Sequence, residues 1–363
     1  MGKKIIATVI NDLTYDQRMQ RICTSLAQAG YDVTLVGRIL PYSAPFKDRP
    51  YKQKRLRCYF NKGMLFYAEY NIRLFFYLLF HQYDIVNSVD LDTILPGVWV
   101  SKLKGKKVVY DAHEYFTEVP EVINRPKVKK AWEKIEKYAL PKVDLAYTVS
   151  ASIGKLFEEK HGVKFSTIRN ITVKRDEERV EPDEDKFLIY QGALNKGRGL
   201  EEMIEAMTEL DCKLKIIGEG DLSEELRKKV SELGLIDKVS FLGYIPPEKL
   251  YTYTKKAFAG VNVSQNLGLS YYYSLNNKFF DYMHAGIPSI TNNFPEYQLI
   301  NQQHEIAVLT DADKKTLVNS VKLLLNNPTY YAELKNNCYH AIDFFNWQNE
   351  EKKLIELYES LNS

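Results

Sequence analysis

The sequence predicts an α/β protein of two doubly wound units in tandem, and three observations carry that expectation. Apolar runs rich in Val and Ile alternate with helix-period segments, the series occurs twice, and a charged stretch poor in apolar residues separates the two series. At 363 residues the chain exceeds one ordinary domain and suits two of moderate size. Hydrophobic residues make up 45% and charged residues 27%, which excludes a disordered chain.

The first series opens with KKIIATVI at 3–10. This apolar run stops at Asn11-Asp12 without a small-residue cleavage site, so it reads as a buried strand rather than a leader. A helix follows over 16–29, closed by Gly30, the residue type that best ends a helix. YDVTLVG (31–37) and YDIVNSV (83–89) read as further strands, followed by a helix over 95–103, KKVVYDAHE (106–114) and DLAYTVS (144–150). Continuous apolar strands of this kind belong to a parallel sheet covered on both faces. Within the series, 47–62 carries seven basic residues and one acid, and the aromatic stretch MLFYAEYNIRLFFYLLF follows. Glu69, Asn71 and Arg73 make that stretch too polar and too short to span a bilayer. It reads either as a helix packed on the sheet behind a solvated basic loop, or as a basic-aromatic surface that rests on a membrane.

Residues 170–186 are charged and nearly free of apolar side chains, which marks a linker. The second series then runs FLIYQGAL (187–194), a helix over 200–208, KLKIIGEG (213–220), a helix over 222–233, KVSFLGY (238–244), AFAGVNVS (257–264), a helix over 278–285 and PSITNN (288–293). Helices over 314–325, from 330 onward and over 346–361 complete it. The domains expected are 1–170, 171–345 and a C-terminal helix, 346–363, that packs back on the first domain.

Charge is unevenly divided. Residues 1–170 hold 28 Lys and Arg against 17 Asp and Glu, a net of +11, and the remainder has a net of −8. The basic half suits an anionic lipid surface or a phosphorylated acceptor; without a recognisable reading module it gives little support to nucleic acid. Cys23, Cys58, Cys212 and Cys338 are far apart and in no metal-ligand spacing, which fits a reducing cytoplasm and neither a disulfide framework nor a zinc site.

The chemistry concentrates in the second half. In YQGALNKGRGL, Gly192, Gly197 and Gly199 let backbone N–H groups approach a phosphate, and Arg198 supplies a cation for a diphosphate. A tight turn with a solvated arginine is the competing reading. IIGEGDL holds Gly218 and Gly220 but lacks the third glycine of a dinucleotide fingerprint, so a dehydrogenase fits poorly. A nucleobase fits against the turn at Gly243-Tyr244. In SLNNKFFDYMHAGIP, Asn276 or Asn277 caps a helix whose first turn faces a ligand, and Asp281 stands one turn from Lys278. Asp281 suits two ribose hydroxyls; the alternative is an ordinary charge pair on a solvated face. No Asp-x-Asp lies in this half, because Asp90-Leu91-Asp92 falls in the other.

These pieces in this order, together with DQRMQRICTSLAQAGYDVTLV and VVYDAHE in the first half, resemble the retaining glycosyltransferases of GT-B fold (group 1, family 4 type), along most of the chain. The resemblance implies two Rossmann-like domains facing across a cleft and a nucleotide-diphosphate sugar as donor. It implies transfer to an acceptor hydroxyl with retention, by front-face attack in which the leaving phosphate helps remove the proton. Donor contacts are then expected from Gly192, Arg198, Gly199, Gly218, Tyr244, Asn277, Lys278 and Asp281, with His113 as the cleft histidine and Arg198 and Lys278 as the catalytic cations. Asn11, Asp12, Asp90, Asp92 and Glu114 stand at strand ends as acceptor-side candidates.

Two positions depart from the family pattern. Ala193 stands where an Arg follows the glycine, and Tyr273 stands where the first carboxylate touches the donor sugar. The departures put in question how the sugar is held, and Asn277 and Lys278 stand ready to replace part of the phosphate grip. No cofactor and no metal are expected, since fixed cations and helix N-termini can stabilise the leaving diphosphate. The product expected is a cell-surface polysaccharide or other glycan, built on a lipid-linked or glycan acceptor by a cytoplasmic protein peripheral to the inner face of the membrane. A nucleotide-sugar epimerase on the same fold and a silent GT-B scaffold that binds a partner are the alternatives.

Overall fold

In the computed structural model the described residues are 2–14, 16–41, 43–176 and 180–361. They divide into two units, Met1–Arg169 with Glu350–Ser363, and Asn170–Asn349. Both are α/β with wholly parallel sheets.

The first unit contains β1 (Lys4–Thr8), β2 (Asp32–Arg38), β3 (Lys52–Leu56), β4 (Ile85–Val89), β5 (Lys107–Ala112), β6 (Leu145–Thr148) and β7 (Ser166–Thr167), in the order β3-β2-β1-β4-β5-β6-β7. Strand order reverses between β1 and β4, where Ile5 lies opposite Val33 on one side and Ile85 on the other. At such a reversal the carboxyl ends of the strands diverge and leave room for a ligand.

The helix Gln17–Gln28 starts where the Asp16 carboxylate accepts the Met19 N–H at 3.0 Å, and its chain reverses at Gly30, with φ +94°. The helix Leu91–Lys104 begins earlier than periodicity suggests, because Pro96 lies inside it. Pro96 has no N–H to give the Asp92 carbonyl, and Asn71 Nδ2 donates to that oxygen instead, at 2.8 Å.

The basic segment is not simply a solvated loop. Part of it is β3, a sheet edge parallel to β2 with Lys54 opposite Val36. Charged side chains on an edge strand discourage pairing with another chain. The aromatic stretch forms the helix Gly63–Phe80, which buries Phe66, Tyr70, Leu74 and Leu78 at every fourth position.

The second unit contains β8 (Phe187–Gln191), β9 (Lys213–Ile217), β10 (Val239–Gly243), β11 (Ala259–Asn262), β12 (Ser289–Asn292) and β13 (Ala307–Thr310), in the order β10-β9-β8-β11-β12-β13. Its core joins Leu188, Tyr190, Leu214, Val261 and Ile290 of the strands to Met203, Ile204 and Leu317 of the covering helices. The helix Asn277–His284 lies directly on β11. A Cβ on Gly260 would meet the Tyr282 ring at 2.1 Å, so glycine is what lets the helix come that close. Tyr282 Oη then donates to the Ile189 and Val261 carbonyls, each at 3.2 Å, and accepts from Gln191 N–H at 3.3 Å. This buried hydroxyl fixes the helix that carries Lys278 and Asp281 against the ends of β8 and β11.

The stretch read as a linker is tied down within the second unit. Thr172 bonds to Asp281, Lys335 pairs with Glu181 at 2.6 Å, and Asp183 N–H donates to the Lys256 carbonyl at 3.0 Å. Its central residues, 177–179, lie outside the described residues. In the first unit, Glu350 accepts the Arg169 N–H at 2.9 Å, and Leu354 and Tyr358 of the helix Trp347–Ser360 are fully buried.

Candidate active site

In the second unit, the candidate donor residues gather at the carboxyl ends of β8, β9 and β10. Gly192 has φ +140° and Gly218 has φ +134°, and a Cβ on Gly218 would meet the Gly192 carbonyl oxygen at 1.9 Å. Only glycine fits both the conformation and the approach. The chain then turns through Gly197 and Gly199 into the helix Leu200–Ala206.

Two cations stand over this turn. Lys278 Nζ lies 3.8 Å from the centroid of the Tyr190 ring, and a Cβ on Gly192 would be 3.6 Å from it. The Arg198 guanidinium lies 5.0 Å from the Tyr271 centroid. Neither makes an ion pair among the described residues; both rest on aromatic faces. Lys278 is half-buried, and its ammonium is held well below the ordinary lysine range, by burial first and by the neighbouring Arg198 second. The i,i+3 pairing of Lys278 with Asp281 is therefore not how this lysine is satisfied. Two like charges brought together, with the Asp281 carboxylate offsetting them only in part, make a place for an anion.

Asp281 is oriented by two donors, Thr172 Oγ1 at 2.6 Å and Gln191 Nε2 at 3.0 Å, and Gln191 is itself held by Thr254 at 2.8 Å. Asn276 caps the helix Asn277–His284 by position only. Its side chain reaches Asn262 Oδ1 at 3.2 Å and caps none of the first-turn N–H groups, of which Phe279 N–H donates to the Asn276 carbonyl at 3.1 Å, and Asn277 is exposed. Tyr244 is exposed beyond Gly243, whose φ is +66°. Tyr273 ends the short helix Leu269–Tyr272, with its ring 5.0 Å from that of Tyr272. Tyr190, Gln191, Tyr271 and Thr172 were not among the residues singled out from sequence. The one signal for them was the place of Tyr190 and Gln191 at the end of a buried strand.

In the first unit, the structure brings Asp90, Asp92, His113 and Glu114 together around a buried ion pair. Arg18 Nη2 meets Asp111 Oδ1 at 2.8 Å, and Arg18 Nη1 donates to the Ile168 carbonyl at 2.9 Å. His113 Nε2 lies 3.2 Å from the other oxygen of Asp111, and His113 N–H donates to Asp90 Oδ1 at 2.8 Å. Burial works against a charged imidazole, but the Asp111 and Asp90 carboxylates outweigh it and push His113 up to about 9. Asp90 is raised to about 6 by burial, partly opposed by His113. Asp92 is raised well above the usual carboxylate range by burial and then by the charges of Asp90 and Glu114. Asp90 holds φ +54°, a conformation that costs an L-residue roughly 1–3 kcal/mol and recurs at functional sites.

Asn11 is exposed, and its carbonyl accepts the Arg38 N–H at 3.1 Å. Asp12 is differently placed from the other candidates. Its carboxylate accepts the Thr14 N–H at 2.7 Å and the Ser43 hydroxyl, and it lies 3.4 Å from Arg55 Nε. These bonds hold it below the usual carboxylate range despite its burial, and they clasp the loop between β2 and β3. Among the described residues no group of three His, Cys, Asp or Glu side chains could hold a metal ion.

The two-sheet arrangement is that of GT-B proteins. Residues 17–172 match the family model described as Glycosyltransferase Family 4, and residues 173–341 match Glycosyl transferases group 1. The chain belongs to the group 1 glycosyltransferases of GT-B fold. Sucrose-phosphate synthase of Thermosynechococcus elongatus superposes with a TM-score of 0.81 over 99% of both chains at 18% identity, a likeness of fold. A Campylobacter jejuni N-acetylgalactosamine-N,N'-diacetylbacillosaminyl-diphospho-undecaprenol 4-alpha-N-acetylgalactosaminyltransferase is 41% identical over 83 residues, 21% of this chain and 22% of that protein. A second C. jejuni protein, a GalNAc-alpha-(1->4)-GalNAc-alpha-(1->3)-diNAcBac-PP-undecaprenol alpha-1,4-N-acetyl-D-galactosaminyltransferase, is 23% identical over 236 residues, 63% of each chain. The chain thus spans between 22% and 63% of the length of these curated relatives.

Proposed function

We propose that the chain transfers a sugar from a nucleotide-diphosphate sugar to an acceptor hydroxyl, with retention and without a metal ion, in the assembly of a lipid-linked or cell-surface glycan. The observation that carries this reading is the pair of cations, Arg198 and Lys278, neither of them in an ion pair among the described residues, beside the Gly192 turn and the first turn of the helix Asn277–His284, which has no N-cap side-chain hydrogen bond. As the bond between the anomeric carbon and the diphosphate breaks, negative charge grows on the leaving oxygen. Fixed cations and amide dipoles aimed there lower the barrier, and they need no reorganisation during the reaction.

Asp281, pre-oriented by Thr172 and Gln191, accepts the ribose hydroxyls. The leaving phosphate itself takes the acceptor proton, so no dedicated base is required. Lys278 fills the place left open by Ala193, since its ammonium stands against the neighbouring Gly192. In the first unit a charged His113 offers an N–H to an oxygen, with Asp111 and Asp90 maintaining its charge. Both C. jejuni relatives are named for undecaprenol-linked substrates, which supports a lipid-linked acceptor here.

The test is incubation with a panel of nucleotide sugars and lipid-linked acceptor, following release of nucleoside diphosphate and the anomeric configuration of the product. Acceptor-dependent release with the donor's configuration kept, at an unchanged rate in excess chelator, is expected. A rate that vanishes in chelator and returns with Mn²⁺ or Mg²⁺ overturns the electrostatic account; acceptor-independent conversion of the sugar nucleotide would make the protein an epimerase.

Asp281→Asn keeps the shape and loses the charged acceptor. Affinity for the nucleoside diphosphate is expected to fall by about 1.5–3 kcal/mol, the range for hydrogen bonds to charged groups. The parent should in turn bind a 2′,3′-dideoxy analogue more weakly. Equal binding of both nucleotides by parent and variant in calorimetry removes Asp281 from the ribose.

A further inference from the structure

We infer that the outward face of the helix Gly63–Phe80 is a docking surface for an anionic lipid bilayer, entered by Ile72, Phe76 and Phe80 and gripped by neighbouring lysines and arginines. The inference rests on the transfer reading only for the expectation that the acceptor is lipid-linked.

This helix is apolar on two faces. Phe66, Tyr70, Leu74 and Leu78 are buried on the inner one. Leu65, Ile72, Phe76 and Phe80 fall on the opposite side, and the last three are 57%, 51% and 77% exposed. A solvated face is normally polar; a helix apolar all round is one whose second face has its own apolar partner. Along this face the rings of Phe76 and Phe80 stack with their centroids 6.3 Å apart, and the helix Leu91–Lys104, which packs against the same helix, exposes Leu103. Contiguous exposed apolar surface of this kind marks an interaction site.

The face is built, not accidental. Glu69, the acid within the outer stripe, is turned to structural use: its carboxylate accepts the Tyr59 N–H at 2.8 Å and the Phe60 N–H at 2.9 Å, and it pairs with Arg73 at 2.8 Å. The Arg73 guanidinium lies 5.2 Å from the Tyr59 ring centroid. These contacts neutralise the acid and hold two aromatic side chains, Tyr59 and Phe60, in the open beside the helix. At the other end Lys104 caps the helix by donating to the Leu78 carbonyl at 2.8 Å and the His81 carbonyl at 2.7 Å.

Charge selects the occupant. Lys54, Arg57 and Lys62 precede the helix in the chain and are exposed, and Lys102 is exposed next to Leu103. The other two cations of the basic strand are already engaged: Lys52 pairs with Asp32 at 2.8 Å, and Arg55 bonds to the Ala44 carbonyl at 2.7 Å and Thr14 at 2.8 Å beside Asp12. An exposed apolar face with exposed cations close before it in the chain matches acyl chains beneath anionic headgroups. No helix among the described residues is long and apolar enough to cross a membrane, so the contact is with the interface.

The experiment is co-sedimentation of the full chain with vesicles of phosphatidylglycerol and phosphatidylcholine, with pure phosphatidylcholine as control, across a salt series. The parent is expected to sediment with the anionic vesicles at low salt and to leave them as salt rises. Lys54→Gln/Arg57→Gln/Lys62→Gln should weaken binding roughly a hundredfold, since each cation near the surface contributes a factor of about five. Ile72→Ser/Phe76→Ser/Phe80→Ser, at outward positions that leave the buried stripe intact, should abolish it while the thermal melt stays that of the parent. A parent that ignores anionic vesicles at low salt overturns the inference. So does a serine variant that binds as well as the parent, or a parent dimer that the serine variant turns into monomer without any vesicle binding. Nucleoside diphosphate binding, measured on the same variants, keeps this result separate from the transfer reading: a protein that docks on vesicles but never releases nucleoside diphosphate refutes only the latter.

Discussion

Arg198→Ala is expected to weaken nucleoside-diphosphate binding by about 1.5–3 kcal/mol, roughly 10- to 150-fold, while leaving the fold intact. The size follows from what the arginine does in the free protein. It makes no ion pair among the described residues and only rests on the Tyr271 ring, so its removal breaks nothing the fold needs. A diphosphate, by contrast, would give it a bidentate partner. Lys278→Met should lose a comparable amount, and the double variant less than the sum, because the two cations meet one ligand.

Lys278 adds a pH signature. Its ammonium is held well below the ordinary lysine range by burial and by Arg198, so the free site binds fewer protons than an exposed lysine would. A diphosphate adds counter-charge beyond that of Asp281 and draws the proton back. Binding therefore takes up a proton, and affinity falls as pH rises through the window from the depressed value toward the ordinary one, about 10.4. Calorimetry in buffers of different ionisation heat reads that uptake directly. Lys278→Arg, which stays charged throughout, should bind without it. Donor affinity unchanged in Arg198→Ala, together with no proton uptake in the parent, would remove both cations from the donor site.

The parts of the fold that were legible in the chain are those where one local pattern decides the outcome. FLIYQ and IVNSV are wholly buried strands and read as such, and the glycine turn after β8 showed itself because two strand ends can approach only through Gly192 and Gly218. Arg198, Lys278 and Asp281 lie in motifs of fixed spacing, so sequence alone could group them. What sequence could not show is how they are satisfied. Lys278 rests on Tyr190, and Asp281 is held by Thr172 and Gln191, residues about 90 to 110 positions away whose contact is made by tertiary packing. The helix Pro126–Ala139 went unassigned although Val128, Trp132, Ile135 and Ala139 recur at helical spacing, the two-residue strand β7 is too short to show a period, and β3 hid beneath a run of lysines and arginines. Asp12, a strand-end acid like Asp90, was indistinguishable from it in sequence. Only tertiary partners, Ser43 and Arg55, 31 and 43 positions further on, reveal that its carboxylate serves the loop.

Asp111→Ala is expected to cost the first unit about 3–5 kcal/mol, a large part of the 5–15 kcal/mol that stabilises a typical domain. Arg18 and Asp111 are 3% and 0% exposed, and the guanidinium is spent on Asp111 and the Ile168 carbonyl, with its Nε already lacking a partner. Without the carboxylate, a buried cation is left with one neutral acceptor. The penalty is that of the stranded charge rather than of the pair, so Arg18→Met/Asp111→Leu, which removes both, should recover most of the loss.

The same carboxylate sustains His113, and the pH dependence separates the two roles. A folded value of about 9 against roughly 6.5 unfolded means that the His113 contribution is fully present below pH 6.5 and lost as pH rises through 9. Asp111 titrates the other way: its value is depressed by Arg18 and His113 against the pull of burial, so its contribution is present above about 3.9 and lost as pH falls through the folded value. Urea denaturation followed by tryptophan emission reports on both units, Trp99 and Trp132 in this one and Trp347 in the other, so the His113 effect is read as the difference between parent and variant. The parent should lose stability between pH 7 and about 9.5, and His113→Gln should flatten that decline while keeping the Arg18–Asp111 pair. A parent curve flat across that range would show His113 to be neutral, and a double variant no more stable than Asp111→Ala would show the loss to be one of packing.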